Sequence, residues 1–252
     1  MTDENRTEAQ TEGGNNGRVF RAGTAEPPHV SRGNAGWAVL FDWDGVVADS
    51  ASRHEESWHR LAQEEGRTLP PGFFLPSFGR KNDWVIPHLL RWTEDSRAVF
   101  RLGERKEELF REIVAERGID LYPGALSLCQ SLAERSVPAA IASSTARANI
   151  ELILDQWNMR RLFRTVVAAE DVHRGKPDPE VFCLAAQRVG FPPEQCVVFE
   201  DAPAGVEAGK RAGMRVIALT TTNPAEALRK ADRTLASLES VTPSLIQEWF
   251  FS

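Results

Sequence analysis

Trp37-Ala38-Val39-Leu40-Phe41-Asp42-Trp43-Asp44-Gly45 is the stretch on which the reading of this chain turns. A short apolar run closed by glycine reads as a buried strand. Side chains alternate along a strand, so Asp42 and Asp44 share one face while Trp43 takes the other. Two carboxylates about 4 Å apart repel by about 4 kcal/mol at an effective dielectric of about 20. Asp42-Trp43-Asp44-Gly45 therefore calls for a hard cation beside the acids, or for one carboxyl that keeps its proton. Both arrangements are catalytic. The plain alternative is a solvated acidic turn. A calcium loop does not fit, because the EF-hand pattern places glycine sixth and here it comes fourth.

The 252 residues can bury a large core as one domain or two. With 42% hydrophobic and 26% charged residues, the composition is that of an ordinary soluble globular protein. A formal charge of −6 and the lack of any dense Lys/Arg cluster argue against a nucleic-acid surface. No apolar stretch approaches the roughly 20 residues of a membrane helix. Cys129, Cys183 and Cys196 are odd in number and far apart, which suits buried small residues in a reducing cytoplasm rather than disulfides or a thiolate metal site. Residues 1–35 are polar, rich in Gly, Asn, Thr and Glu, and nearly free of periodic apolar positions, as in a disordered tail. They lack the apolar segment of a secretory signal, and Asp3, Glu4, Glu8 and Glu12 argue against an organelle transit peptide. The sequence carries no oligomerisation signal, and a monomer is the expectation.

From Trp37 onward strand and helix alternate. Strands are expected over 37–42, 138–143, 165–169, 196–200 and 214–220, with helices between them. The alternation predicts an α/β fold, a doubly wound parallel sheet flanked by helices. Residues 50–120 break the rhythm, with helices expected over 52–65, 82–93 and 96–117 around a Pro/Gly-rich stretch at 69–79. This predicts an α-helical cap domain, 51–119, inserted into a core formed by 36–50 and 120–252. Downstream, Asp178 is a plausible N-cap and Gly190 a helix stop. Gly205, Gly209 and Gly213 recur on one helical face and suit close packing on a sheet.

Three further motifs fall at or just after expected strand ends. In Ala140-Ile141-Ala142-Ser143-Ser144-Thr145, hydroxyls and backbone N–H groups meet a helix start, a setting that favours anions. Its plain alternative is an ordinary Ser/Thr N-cap. In Gly175-Lys176-Pro177-Asp178-Pro179, two prolines fix the backbone around one lysine, which alone could be a solvated turn residue. Cys196-Val197-Val198-Phe199-Glu200-Asp201 is an apolar strand ending in two acids, of which helix capping readily accounts for one. In an open parallel sheet the C-terminal strand ends converge on one crevice. Asp42, Asp44, Glu200 and Asp201 would then meet Ser143 and Lys176 there. Oxygen-only ligands with open positions suit Mg²⁺ bridged to a phosphate.

This ordered set, Asp42-Trp43-Asp44-Gly45-Val46-Val47, Ser143, Lys176 and Glu200-Asp201, resembles the four motifs of the haloacid dehalogenase (HAD) superfamily. It most resembles the β-phosphoglucomutase-like branch, subfamily I with a helical C1 cap. Asp49-Ser50, His54, Trp58, Tyr122-Pro123-Gly124 and Ala202-Pro203-Ala204-Gly205 fit the same branch, and the likeness extends over nearly all of 37–235. The resemblance implies a HAD-like Rossmannoid core with the strands of motifs one, two and four adjacent.

The chemistry implied is two-step phosphoryl transfer on a small phosphorylated metabolite such as a sugar phosphate. Asp42 would be the nucleophile and form an aspartyl phosphate. Asp44 would protonate the leaving alcohol and then deprotonate water. Mg²⁺ would be held by Asp42, the Asp44 carbonyl, Asp201 and Glu200, with Lys176, Ser143 and Ser144 binding the phosphoryl oxygens. In the cap, Phe78-Gly79-Arg80-Lys81-Asn82 stands where the branch places a substrate-contacting loop. Arg80 is the strongest candidate there, beside Gly79 and Lys81. His54 and Lys106 match positions that approach the site in such mutases, their alternative being surface placement on cap helices. Trp58 and Trp84 could line the cleft. Dehalogenases of the superfamily lack the second aspartate, and phosphonatases carry Ala there, so the presence of Asp44 disfavours both. The expected function is a Mg²⁺-dependent phosphatase. The runner-up is a phosphomutase of the β-phosphoglucomutase type, and a catalytically silent binding module ranks last because Asp42, Asp44, Lys176 and Asp201 are all intact.

Overall fold

The computed structural model describes residues 36–251; the tail expected over 1–35 lies outside them. Six strands form one sheet: β1 (Ala38–Phe41), β2 (Ala139–Ala142), β3 (Thr165–Val167), β4 (Cys196–Glu200), β5 (Arg215–Leu219) and β6 (Arg233–Leu235). Their order is β3-β2-β1-β4-β5-β6 and every pairing is parallel. Successive strands are added to one side of β1 and then, from β4, to the other, so a crevice opens beyond the C-terminal ends of β1 and β4. The five expected strands are present, and β1 lies between β2 and β4 as expected. β6 has no counterpart in the expected set, because Arg233 and Thr234 are exposed and no apolar run announces this short edge strand.

The helices are α1 (Ala51–Glu64), α2 (Phe74–Ser77), α3 (Asn82–Trp84), α4 (Ser96–Arg117), α5 (Ala125–Glu134), α6 (Arg147–Gln156), α7 (Glu180–Val189), α8 (Pro203–Arg211) and α9 (Pro243–Phe251). Alternation along β1 sorts the two layers. Val39 and Phe41 pack with α5, α6 and α9, while Ala38 and Leu40 pack with α7 and α8. Both faces of the sheet are covered, which is why its central strands read as continuous apolar runs.

Helices α1 to α4 form the cap between β1 and β2. It has its own apolar cluster, including Trp58, Leu61, Val85, Ile86, Trp92, Leu102 and Leu109. From the next residue of α4 onward, Phe110 and Val114 belong instead to the sheet's cluster. Helix α4 is therefore shared, its first half building the cap and its second half docking it. The single helix expected over 82–93 is a correction. α3 is followed by a π-helical turn, Val85–Leu89, and the chain then leaves the helix. Pro87 has no N–H for an α-helical bond, and the ladder widens until Leu90 N–H bonds the Val85 carbonyl at 2.9 Å.

Two other boundaries moved. The N-cap of helix α7 is Pro179 rather than Asp178, so the helix starts at Glu180, yet the Asp178 carboxylate still accepts a bond from Glu180 N–H at 3.0 Å. Helix α8 ends at Arg211, so Gly213 lies beyond it in left-handed backbone at φ 79° and shares no packed face with Gly205 and Gly209.

Candidate active site

The crevice gathers residues from every motif. Lys176, fully buried, lies 2.9 Å from Asp42 Oδ1 and donates to Glu200 Oε1 at 2.6 Å. Glu200 Oε2 accepts the backbone N–H groups of Asp201 and Ala202, each at 2.7 Å. Thus one of the two acids ending β4 does serve the following turn. Asp201 does not: its Oδ1 is buried without a hydrogen-bond partner, and its Oδ2 accepts the Thr222 hydroxyl.

Two glycines make room for these carboxylates. A Cβ on Gly205 would lie 1.7 Å from Glu200 Oε1. A Cβ on Gly45 would lie 2.0 Å from Asp201 Oδ2, and Gly45 also holds a φ of 83°. Helix packing alone therefore does not account for Gly205.

Oxygens of Asp42, Glu200 and Asp201 all lie within 4.8 Å of one another, against one ammonium. Burial, with the nearby charges of Glu200 and Asp44, pushes the Asp42 carboxyl up to about 8 despite Lys176. Burial and the charges of Glu200 and Asp42 push Asp201 well above the carboxylate range. With three carboxylates against one ammonium the cluster is two positive charges short, and the atoms it offers a cation are all oxygen. A hard divalent cation fits both conditions.

Asp44 sits differently. Its Oδ1 accepts Ser50 Oγ at 2.6 Å and lies 3.1 Å from His54 Nε2. Burial opposes ionisation, but His54, Ser50 and Lys106 outweigh it and hold the carboxyl below its ordinary value. Behind His54, its Nδ1 lies 2.7 Å from Lys106 Nζ, which reaches Glu107 Oε1 at 3.1 Å. An ammonium can only donate, so His54 Nδ1 accepts and its proton sits on Nε2, directed at Asp44. His54 also stacks on Phe110 at 4.0 Å between ring centroids. His54 and Lys106 are both buried, so neither takes the surface alternative.

The phosphate-loop alternative also fails. Helix α6 is N-capped by Ala146 without a side-chain bond, and its Arg147 N–H is taken by Glu170. Ser143, Ser144 and Thr145 are left lining the cavity with Asp42 and Asp44. Over this cavity stand Trp58, Phe78, Gly79 and Arg80 from the cap. The Arg80 guanidinium lies 4.1 Å above the Trp84 ring and, among the described residues, pairs with no carboxylate. Lys81 turns aside: its Nζ donates to the Val172 carbonyl at 2.8 Å, and its side chain lines the neighbouring cleft instead. Trp84 supports Arg80 from outside the cavity.

A sequence profile of the haloacid dehalogenase-like hydrolases matches residues 38–213. The chain belongs to this family. It is 34% identical over 210 residues to validoxylamine A 7'-phosphate phosphatase of Streptomyces hygroscopicus subsp. limoneus, covering 81% of this chain and 94% of that protein. It is 35% identical over 215 residues to the chloroplastic 5-amino-6-(5-phospho-D-ribitylamino)uracil phosphatase of Arabidopsis thaliana, covering 84% of this chain and 57% of that longer protein. The β-phosphoglucomutase crystal structure from Clostridium difficile superposes with a TM-score of 0.75 at 24% identity, covering 84% of this chain and 96% of that one. That likeness establishes the HAD fold with its inserted cap.

Ser50, Thr145, Glu107, Asn149 and Thr222 bear on the site without having been singled out as site residues. Thr222 had a usable signal, since Thr220-Thr221-Thr222-Asn223 follows the β5 strand end. Glu107 and Asn149 had none, because polar residues on helices ordinarily face water.

Proposed function

We propose that this HAD hydrolase is a Mg²⁺-dependent phosphatase of a small phosphomonoester, a sugar phosphate or similar metabolite. The observation that carries the reading is the electrostatic contrast between neighbouring aspartates. Asp42 stands in a cluster short of positive charge, whereas Asp44 is held by a histidine and a serine. Asp42, Asp201 and the Asp44 backbone carbonyl would hold the metal, with Glu200 adding charge beside its bonds to Lys176. When bound, Mg²⁺ supplies neutralising charge to the transferring phosphoryl oxygens.

Asp42 attacks phosphorus and forms an aspartyl phosphate as the P–O bond to the leaving alcohol breaks. Asp44, ionised in the free enzyme, takes up the proton of a phosphate monoanion as the substrate enters, gives it to that alcohol, and then takes one from the water that cleaves the intermediate. Both structural bonds to Asp44 fall on Oδ1, which leaves Oδ2 for the proton. Lys176, Ser143 and the Ser144 N–H bind the phosphoryl oxygens. Arg80, above the cavity and without an acidic partner, grips the leaving group, and Gly79 admits it. His54 and Lys106 orient Asp44, and Lys81 anchors the cap loop rather than contacting the substrate.

A reducing, cytoplasmic setting belongs to the proposal, supported by free thiols at Cys129 and Cys196, both buried as expected, and at Cys183, which is exposed instead. Among the described residues no helix is long and apolar enough to cross a membrane. The test is phosphate release from a panel of phosphorylated metabolites with Mg²⁺, with Asp42→Asn as control. Turnover that disappears in the variant is expected. No Mg²⁺-dependent turnover, with Asp42→Asn indistinguishable, would return the binding module. Conversion of β-glucose 1-phosphate with a bisphosphate primer to glucose 6-phosphate, without free phosphate, would replace hydrolysis by mutase chemistry.

A further inference from the structure

The cap and the phosphate-binding loop meet at a buried polar junction. Glu107, on α4 where cap packing gives way to core packing, is enclosed although charged. Its Oε1 accepts Asn82 Nδ2 at 2.7 Å, from the end of the cap loop that carries Arg80, and Lys106 Nζ at 3.1 Å. Its Oε2 accepts Asn149 Nδ2 at 2.5 Å, and Asn149 lies on the core helix α6. Asn149 is fixed in turn. Its Oδ1 accepts Arg111 Nη1 at 2.9 Å, and its Nδ2 lies 3.4 Å from Thr145 Oγ1 in the loop after β2. Burial would raise the Glu107 carboxyl, but Lys106, His54 and Asn82 more than compensate and keep it ionised.

We propose that Glu107 and Asn149 form a latch that holds the cap closed over the phosphate-binding loop and thereby positions Lys106, His54 and Arg80 for turnover. Neither residue is a catalytic residue; each acts through others. Three features point this way. A carboxylate buried between two structural units is costly unless every bond is made, so the junction is stable only in one relative placement. Its partners belong to both units: Lys106 and Asn82 to the cap, Asn149 to the core. Finally, the same carboxylate anchors the cation behind His54 and the loop bearing Arg80, so opening the latch would loosen both together. The inference uses the phosphatase reading only for its activity assay.

Two readouts test it. Amide hydrogen exchange over residues 77–84 reports cap opening without reference to activity. kcat/KM on the best phosphorylated substrate reports positioning. Asn149→Asp sets carboxylate against carboxylate, and Glu107→Gln removes the charge. Each is expected to speed exchange in the cap loop and lower kcat/KM by about 10- to 100-fold. The exchanged pair Glu107→Gln with Asn149→Asp restores a donor facing an acceptor. It is expected to recover slow exchange and to bring kcat/KM back within about tenfold of the parent. Asn149→Ser, which keeps a short donor, supplies a milder variant should either single change prevent folding. Single variants with parental exchange and kcat/KM would overturn the latch, as would losses that simply add in the exchanged pair. Loss of the phosphatase reading would show separately, as an Asp42→Asn variant no less active than its parent.

Discussion

Asp42 and Asp44 line one cavity, and the buried ionic groups to which they belong are balanced in opposite ways. On the core side, Asp42, Glu200 and Asp201 share the single ammonium of Lys176, and the carboxyls of Asp42 and Asp201 are pushed upward. On the cap side, Asp44 and Glu107 lie among His54, Lys106 and neutral donors, and both carboxyls are held below their ordinary values. Burial is comparable on the two sides, so burial does not explain the contrast. The supply of donors around each acid does: three carboxylates share one ammonium on the core side, whereas Ser50, His54, Lys106, Asn82 and Asn149 all serve two carboxylates on the cap side. An acidic excess that the protein leaves uncorrected marks a place for a cation and an incoming phosphate, whereas a matched set marks a positioning device.

The largest expected effect breaks the core side. Asp42→Asn should lower kcat by about four orders of magnitude or more, measured by phosphate release, because no other carboxylate can attack in line. Asp44→Asn should cost about 10²- to 10⁴-fold, the range of one general acid–base group. A smaller loss for Asp42→Asn than for Asp44→Asn would reverse the roles assigned to the two acids.

Metal addition examines the charge deficit itself. Mg²⁺ at about 100 times its dissociation constant should stabilise the fold by about 2.7 kcal/mol, and Tm should rise by several degrees in a thermal melt. Asp201→Asn should abolish that rise. A melt insensitive to Mg²⁺ would leave the acidic cluster without its counter-ion and undo the contrast. Thr222, which bonds Asp201 and lies 3.1 Å from Asn223 Nδ2, offers a finer test. Thr222→Val should weaken Mg²⁺ binding by about 10- to 100-fold in a calorimetric titration, and Thr222→Ser should retain most of it.

The smallest effect concerns pH on the cap side. Because the Glu107 carboxyl is lowered in the folded protein, the unfolded chain binds the extra proton first as pH falls. Its stabilisation is therefore complete above the unfolded glutamate value of about 4.3 and is lost as pH drops through the lower folded value. Glu107→Gln should lower Tm at neutral pH and flatten its decline below about pH 4. An acid limb identical to the parent's would mean that Glu107 carries no shifted proton equilibrium.

The alternation of apolar runs and helices determined the parallel sheet. The four motifs, three at strand ends and the lysine on the loop that follows β3, determined which acids and which lysine would meet, because parallel strands carry their C-terminal residues to one edge. Those conclusions needed only local periodicity and chain order. Tertiary structure decided the rest. Pro87 converted an expected long helix into a π-helical turn through a missing donor, and β6 formed without any apolar signature. Lys81 turned from the cavity to the Val172 carbonyl, while Lys106 turned inward. Glu107 and Asn149 look like solvated helix residues until α4 and α6 are brought together. Partners distant in sequence leave no periodic trace, so the balance of charge around each acid emerges only when the chain is folded.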